Sequence, residues 1–311
     1  MEKLIVSSSP HIRAGLTTRR IMLDVVLALL PATVAAVVLF GWRAAVIIAA
    51  CVAASVGTEY LFNLIVRKPQ TVGDLSAVVT GLLLALNMPA TVNMYQCVIG
   101  SVFAIAVVKC LFGGLGCNFA NPAITGRVFM LIAFSEIGGG AAPIVVDTVA
   151  SATPLERIKA GATDQLPSLV HMLIGTRGGA IGETCAIALL IGFAYLVIRK
   201  IIHWQIPVVF VGTVFVLSLL FSGFDFTVAL YEVLGGGLLI GAIFMATDYV
   251  TCPITLGGKL LFAFGCGLIT AMIRFFGAYP EGVSFSILLM NILSPYLEKW
   301  TFKKPLGGAK A

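Results

Sequence analysis

Ten continuous apolar segments, separated by short polar breaks, limit the folds that this chain can adopt. Several segments reach the roughly 18 to 20 residues that an α-helix needs to cross the hydrocarbon core of a bilayer. A transmembrane barrel would instead show short segments in which apolar and polar residues alternate. Only 11% of the 311 residues are charged, whereas an ordinary soluble domain contains about 25%. The sequence therefore predicts an all-α polytopic membrane protein. The segments span approximately 21–40, 44–66, 75–88, 92–111, 124–138, 180–198, 205–222, 228–246, 256–276 and 283–298.

Two short segments and an internal repeat indicate how the helices are arranged. Segments 75–88 and 124–138 are too short for simple spans, and they predict half-helices or buried helices. Residues 81–91 (GLLLALNMPAT) align without gaps on residues 237–247 (GLLIGAIFMAT), and five of the eleven positions are identical. Each half then holds five segments, an odd number, so the halves face opposite ways. We expect two inverted five-segment repeats with broken or half-helices, and a working site at their interface.

The basic residues predict the orientation in the membrane. With the N-terminus in the cytoplasm, fifteen of the twenty lysines and arginines fall in inner loops or termini, and Lys109 and Arg127 are counted among them. The positive-inside rule favours this orientation, which makes both termini cytoplasmic. The first twenty residues are polar and basic, so no cleavable signal peptide is expected. The net charge of +6 is therefore an orientation signal, and no nucleic-acid partner is predicted. The predicted regions are a cytoplasmic arm (1–20), a first membrane repeat (21–138), an external loop (139–178), a second membrane repeat (179–298) and a cytoplasmic tail (299–311).

Two glycine-rich stretches interrupt the membrane pattern. Residues 113–123 contain Asn118 and Asn121, and irregular backbone at membrane depth persists only when it is buried in protein or lines a cavity. This stretch predicts a cofactor or ion site, or alternatively a tight connector with asparagine caps. Residues 175–184 contain Gly182 and Glu183. A helix start there could receive an anion such as a phosphate, and a packed helix start is an equal alternative.

Acidic residues in or near membrane segments are costly and are therefore functional candidates. Asp24, Asp248 and Glu281, together with Asn118 and Asn121, are the predicted ion pathway. Structural alternatives remain for the acids.

Ion pairing is the main structural alternative for two of the membrane acids. Asp24 can pair with Arg19 or Arg20 near the interface. Glu59 can pair with Arg67 or with another helix.

The cysteines and histidines do not indicate a metal site in this chain. None of the seven cysteines forms a CxxC motif, and most lie in apolar segments, where a free cysteine behaves as a small hydrophobic residue. His171 and His203 are isolated. We expect neither a disulfide framework nor a metal centre held by this chain alone, although a cysteine ligand at a subunit interface remains open.

The stretch from Asp147 to Leu155 lies in the longest polar interruption of the sequence, on the predicted external side. Pro154 disfavours helix at Thr153, which leaves the threonine side chain accessible to a modifying enzyme. A threonine hydroxyl can form a phosphoester. The alternative is that Thr153 caps a helix that begins before Leu155.

The whole chain resembles the D subunit of the Rnf ion-translocating electron-transfer complex, a relative of the B subunit of the sodium-pumping NADH:quinone oxidoreductase. The motifs that carry this resemblance are Ser151–Leu155, Gly113–Gly116, Asn121–Ala123, Gly182–Glu183, Ala246–Asp248, Tyr279–Val283 and Phe285–Asn291.

The resemblance implies a covalent flavin. In that family FMN is joined through its phosphate to the threonine of an Asp-x-x-Ser/Thr-Gly-Ala-Thr motif. Asp147 matches the acid, Ala152 the alanine and Thr153 the acceptor, whereas Ala150 and Ser151 depart from the motif by placing the hydroxyl one position later. Gly182 and Glu183 are further candidates for cofactor binding.

The resemblance also implies a function. Electrons would pass between reduced ferredoxin and NAD while Na⁺ or H⁺ crosses the bacterial inner membrane. A second, non-covalent flavin such as riboflavin is implied, as are the other Rnf subunits and a flavin transferase as partners, with membrane lipid around the helices. The alternatives are a urea- or ammonium-type channel or transporter without a cofactor, and a purely structural membrane anchor. The external stretch that carries Thr153 distinguishes the Rnf prediction, because a simple pore does not need it.

Overall fold

Helices form all the extended regular structure in the described part of the chain. The computed structural model describes residues 17–134, 153–161, 166–277, 279 and 281–302. Within a bilayer, a helix satisfies its backbone hydrogen bonds internally, and long apolar segments therefore fold in this way. The helices are α1 Thr18–Phe40, α2 Trp42–Val66, α3 Ser76–Leu86, α4 Met94–Cys110, α5 Pro122–Ala133, α6 Pro154–Lys159, α7 Leu169–Ile174, α8 Ala186–Ile198, α9 Gln205–Phe221, α10 Phe226–Leu234, α11 Leu238–Met245, α12 Leu256–Phe276 and α13 Val283–Thr301.

The all-helical, polytopic fold class is confirmed. Each predicted apolar segment contains helix, and α3 and α5 have only 11 and 12 residues, as the short segments predicted. Within the described ranges, α1, α2 and α12 are long and apolar enough to cross a membrane, and α10 with α11 forms a fourth candidate if this bent pair is one span.

The predicted segment 228–246 is not one helix. It breaks at residues 235–237, and α10 and α11 are bent by 60° at this point. Gly236 has a φ of +61°, a backbone conformation that glycine adopts at little cost. A Cβ atom on Gly236 would also lie 2.7 Å from a methyl group of Leu155. The break therefore depends on glycine both for its backbone conformation and for contact with α6.

Corresponding helices of the two halves pack in corresponding ways. Helix α2 packs against α3 and α4, and α9 packs against α10 and α12. The pairing of α4 with α5 likewise matches that of α12 with α13. This repeated pattern fits the sequence repeat.

Helices α1 and α8 hold equivalent places in the two halves, and they run antiparallel against each other. Arg199 follows the end of α8 and binds Asp24 near the start of α1. Gly192, one to two turns earlier in α8, lies against the backbone of Ala28. Opposite directions are what an inverted repeat requires.

Replacing Gly192 with alanine is expected to destabilise the protein. The new Cβ would overlap the carbonyl oxygen of Ala28, a backbone atom that cannot rotate away, and such overpacking costs about 1–3 kcal/mol. The thermal midpoint of the purified protein in detergent measures the effect. Gly212→Ala in α9 is the matched control, because a Cβ there meets nothing within 4 Å. Equal midpoints for the two variants would contradict close packing of α1 on α8.

Candidate functional site

Thr153 is the N-cap of α6. Its backbone is extended, with φ −60° and ψ 153°, as expected for a residue before proline. The Glu156 amide donates to Thr153 Oγ1 at 3.2 Å, and the Thr153 amide donates to Glu156 Oε2 at 2.7 Å. This is a reciprocal capping box. The side chain is only half-buried, so the cap and an accessible hydroxyl coexist.

Helix α6 is fixed to the break between α10 and α11. Leu155 is buried and packs against Gly235 and Gly236. Lys159 Nζ donates to the carbonyl oxygens of Gly277 and Tyr279, the latter at 3.3 Å. Thr153 therefore has a defined place near the start of α11 and the end of α12, which we call the Thr153 end. Asp147, Ser151 and Ala152 lie outside the described residues.

Arg274 satisfies the exposed backbone of the break. Its guanidinium donates to Glu232 Oε2 at 3.0 Å and to the carbonyl oxygens of Gly235 at 3.3 Å and Glu281 at 2.9 Å. It also contacts the carbonyl oxygen of Glu232. Carbonyl groups freed by a helix break inside an apolar environment need such partners. The arginine thus stabilises the backbone on which α6 rests.

Glu281, a predicted ion-pathway residue, belongs to this end of the bundle. Its carboxylate pairs with Arg127 at 3.4 Å. Arg127 lies buried within α5, and the count of basic residues placed it in an inner loop. The loop placement was wrong because Arg127 is a buried residue of a helix, where Glu281 compensates its charge.

At the predicted site, the backbone of Gly182 packs closely against the end of α3. The Gly182 amide donates to Leu86 O at 2.7 Å, and a Cβ on Gly182 would lie 2.5 Å from Leu86 Cβ. Arg177 donates to the carbonyl oxygens of Glu183 at 3.2 Å and Leu234 at 2.7 Å. The geometry favours the packed alternative, and the buried Glu183 carboxylate would repel a phosphate.

Asn118, Asn121 and Asp248 line one cavity, together with Thr80 and Lys109. Asp248 follows the end of α11, and this cavity therefore lies at the other end of that helix from Gly236. A second cavity shares Asp248 as a wall residue and extends along His203 and Lys259. The structure thus brings together three of the five predicted ion-pathway residues.

The asparagines of this cavity also have structural roles. Asn121 caps α5 by accepting from the Ala123 amide at 3.0 Å, and its Nδ2 donates to Met245 O at 3.3 Å. Asn118 Nδ2 donates to Ala120 O at 2.9 Å. The capped connector is therefore present, and the same stretch lines a cavity. The cofactor or ion site at residues 113–123 stays a prediction.

Asp24 is paired across the repeat interface. Arg199 Nη2 lies 3.2 Å from Asp24 Oδ2, and the Tyr195 hydroxyl donates to Asp24 Oδ1 at 2.9 Å. The expected partners Arg19 and Arg20 were wrong, because α8 brings a better-placed arginine.

Glu59 pairs with another helix, which was one of the two alternatives. Lys109 Nζ lies 2.9 Å from both Glu59 carboxylate oxygens and 2.6 Å from Ser76 Oγ, and Thr71 Oγ1 donates to Glu59 Oε1 at 2.6 Å. The count of basic residues placed Lys109 in an inner loop. That placement was wrong, because Lys109 is buried within α4. The feature of the sequence that could have predicted this pair is a lysine inside an apolar segment.

All seven cysteines are free thiols. Within the described residues, histidine, cysteine and acidic side chains form no group of three or more that could hold a metal ion.

A broken helix, charge pairs buried between apolar helices, and a cavity lined by both repeats define a polytopic helical membrane protein. The chain belongs to the NQR2, RnfD, RnfE family, whose sequence pattern matches residues 5–307. It is 47% identical over 310 residues to the D subunit of the Na⁺-translocating ferredoxin:NAD⁺ oxidoreductase complex of Acetobacterium woodii, covering 99% of this chain and 96% of that protein.

Two further relatives carry related names. The D subunit of the proton-translocating ferredoxin:NAD⁺ oxidoreductase complex of Clostridium ljungdahlii is 42% identical, with 95% of this chain and 94% of that protein covered. The D subunit of the ion-translocating oxidoreductase complex of Stutzerimonas stutzeri is 37% identical, with coverages of 90% and 89%. The resemblance to the D subunit of the Rnf complex is therefore confirmed.

Proposed function

We propose that this chain is the D-type membrane subunit of an Rnf-type complex, which couples electron transfer between ferredoxin and NAD to Na⁺ or H⁺ translocation. The observation that carries the proposal is similarity along almost the full length of both chains to a subunit with that name. The ion stays open because the names of the relatives from Acetobacterium woodii and Clostridium ljungdahlii differ in it. Its partners would be the other subunits of the complex and a flavin transferase during maturation.

The second part of the proposal is that Thr153 carries FMN through a phosphoester. The described residues fit this linkage, because the ester oxygen that replaces the hydroxyl can still accept the hydrogen bond from the Glu156 amide. Leu155 and Lys159 hold the acceptor against the break. When bound, the flavin would supply one-electron transfer, while the protein positions it and sets its electrostatic surroundings.

Purification of the complex through a tag on this chain tests both parts. We expect ferredoxin-dependent NAD⁺ reduction to co-purify with it, and its band on a denaturing gel to fluoresce under ultraviolet light. Riboflavin released by denaturation would support the second, non-covalent flavin. A dark band from cells with active flavin transferase would contradict the FMN proposal, and a purified chain without partner subunits would contradict the complex.

The third part concerns orientation. We propose that both termini are cytoplasmic and that Thr153 lies on the external side of a bacterial inner membrane. The support is the excess of basic residues on one side. Green fluorescent protein fused to the C-terminus should fluoresce, whereas an exported fusion would remain dark and contradict this orientation.

The ion pathway is proposed to pass through the cavity lined by Asn118, Asn121 and Asp248. Reducing a flavin adds negative charge in a medium of low dielectric constant, where a cation compensates it most strongly. Asp24 and Glu281 already have arginine partners, so we assign them to holding the helices that surround the path.

Asp248→Asn is expected to lower the number of ions moved per electron in vesicles that contain the complex. The change removes the one carboxylate that both cavities share. Asp24→Asn should instead lower thermal stability, because it leaves Arg199 without its carboxylate. Normal pumping by Asp248→Asn would contradict the pathway.

A further inference from the structure

The carboxylate of Glu183 is buried without an ion-pair partner. The residue is only 4% exposed, and within the described ranges no lysine, arginine or histidine nitrogen lies within 4 Å of its oxygens. The two nearby arginines differ: Arg177 forms no ion pair within the described residues and its Nε has no hydrogen-bond partner there, whereas Arg127 has a carboxylate partner. Arg177 Nη2 donates to two carbonyl oxygens, and Arg127 pairs with Glu281. A buried carboxylate at this depth is costly and requires a proton or a cation.

Asn87 supplies a second oxygen at the same place. Its Nδ2 donates to Leu83 O at 2.7 Å and contacts Met245 Sδ at 3.7 Å. This orientation turns Oδ1 towards Gly237. No described residue donates a hydrogen bond to that oxygen, and the asparagine is buried.

The two oxygens lie near the point that a Cβ atom would occupy on Gly237, which we call the open position. A Cβ atom on Gly237 would lie 3.7 Å from Glu183 Oε2 and 3.8 Å from Asn87 Oδ1. The Cγ2 methyl group of Ile240 would also lie 3.8 Å from that point. Because residue 237 is a glycine, the carboxylate oxygen and the amide oxygen both border the volume that a Cβ atom would fill.

This position lies where the two repeats meet. Asn87 follows the last residue of α3, and Gly237 precedes the first residue of α11. Asn87 contacts Met245 at the far end of α11, and Asn121 of the Asp248 cavity donates to Met245 as well. A chain of contacts thus joins the cavity to the open position.

The chemistry of the two oxygens selects a cation. Carboxylate and amide oxygens are ligands for hard cations, and the C-terminal end of α3 presents the negative end of its helix dipole. We expect such a site to bind its ion weakly enough to release it, as a transport step requires.

We propose that Glu183 and Asn87 bind the translocated cation, Na⁺ or H⁺, between the Asp248 cavity and the Thr153 end. This inference rests on the proposed function and adds a site to it. Gly179 contributes by leaving room for the carboxylate, since a Cβ there would lie 2.6 Å from Glu183 Oε1.

Carbodiimide labelling of membranes that contain the whole complex tests binding without relying on turnover. Dicyclohexylcarbodiimide reacts with protonated carboxyl groups in apolar surroundings, and mass spectrometry locates the adduct. We expect modification of Glu183. Protection by sodium chloride but not by choline chloride would identify Na⁺, whereas modification that depends on pH alone would identify H⁺. An unmodified Glu183 beside a labelled acid elsewhere in the complex would overturn the proposal.

Transport by variants provides the second measurement. Glu183→Gln should lower the number of ions moved per NADH by about tenfold. Asn87→Ala and Gly179→Ala should raise the half-saturating cation concentration by about tenfold, because each loses or displaces one ligand. Asp225→Asn is the control, because asparagine preserves that exposed helix cap. If Glu183→Gln does not assemble, the other two variants decide the question.

Wild-type transport parameters in the variants would overturn the cation site. The proposed function would fail differently, through a dark band or absent ferredoxin-dependent activity in the wild-type complex.

Discussion

Replacing Thr153 with alanine is expected to abolish the covalent flavin and, with it, ferredoxin-dependent NAD⁺ reduction by the complex. Alanine has no hydroxyl for the phosphoester, and no other described residue of α6 carries one. The lost cap costs only about 1 kcal/mol, which is too little to explain a complete loss of activity through unfolding. Ultraviolet fluorescence of the denatured band and the rate of NAD⁺ reduction measure the two effects.

Two substitutions at the same position separate the linkage from the helix cap. Asparagine is as good an N-cap as threonine but has no hydroxyl, so Thr153→Asn should lose the flavin while retaining thermal stability. Thr153→Ser keeps both the hydroxyl and the cap, and it should retain some flavin. Fluorescence that persists in Thr153→Asn would place the attachment at another residue.

Removing the charge of Glu59 alone is expected to cause the largest loss of stability. Glu59→Gln leaves the ammonium group of Lys109 buried with only Ser76 and a neutral amide as partners. Breaking a buried ion pair on one side typically costs about 3–5 kcal/mol. Both residues are at most 2% exposed, so water cannot replace the lost carboxylate. The thermal midpoint of the purified protein in detergent measures the loss.

A double variant shows whether the cost comes from the unpaired charge. Glu59→Leu combined with Lys109→Met removes both charges, and replacing a buried pair by apolar residues is often close to neutral. We expect it to recover most of the stability lost by Glu59→Gln, although Thr71 and Ser76 lose partners. A double variant as unstable as the single one would show that the hydrogen bonds, rather than the charges, hold α2, α3 and α4 together.

Local patterns in the sequence predict the helices well but predict their interruptions poorly. The apolar segments give the positions of α1, α2 and α12, and the short segments give α3 and α5, because these depend on hydrophobic length alone. The break at Gly235–Gly237 was missed because glycine is common in membrane helices. What stabilises that break, Leu155 and Arg274, comes from other parts of the chain.

The partners of buried charges could not be predicted from sequence neighbours. Counting basic residues assigned Lys109 and Arg127 to loops. In the structure, Lys109 pairs with an acid 50 residues away, and Arg127 pairs with an acid 154 residues away. The extended backbone of Thr153 was predictable because a proline disfavours helix at the preceding residue. The proximity of Glu183 to Asn87 was not, since it depends on backbone hydrogen bonds from Ile181 and Gly182 to Met88 and Leu86.

The ion pair between Asp24 and Arg199 has a consequence for biosynthesis. The two residues are 175 positions apart, and a ribosome that adds about 5–20 residues per second needs roughly 10–35 s to cover that distance. During this interval the nascent first helix carries an acid whose partner has not been made. A translocon that releases α1 into lipid at once would expose this carboxylate to hydrocarbon. We therefore expect α1 to stay in contact with the insertion machinery until α8 has been synthesised.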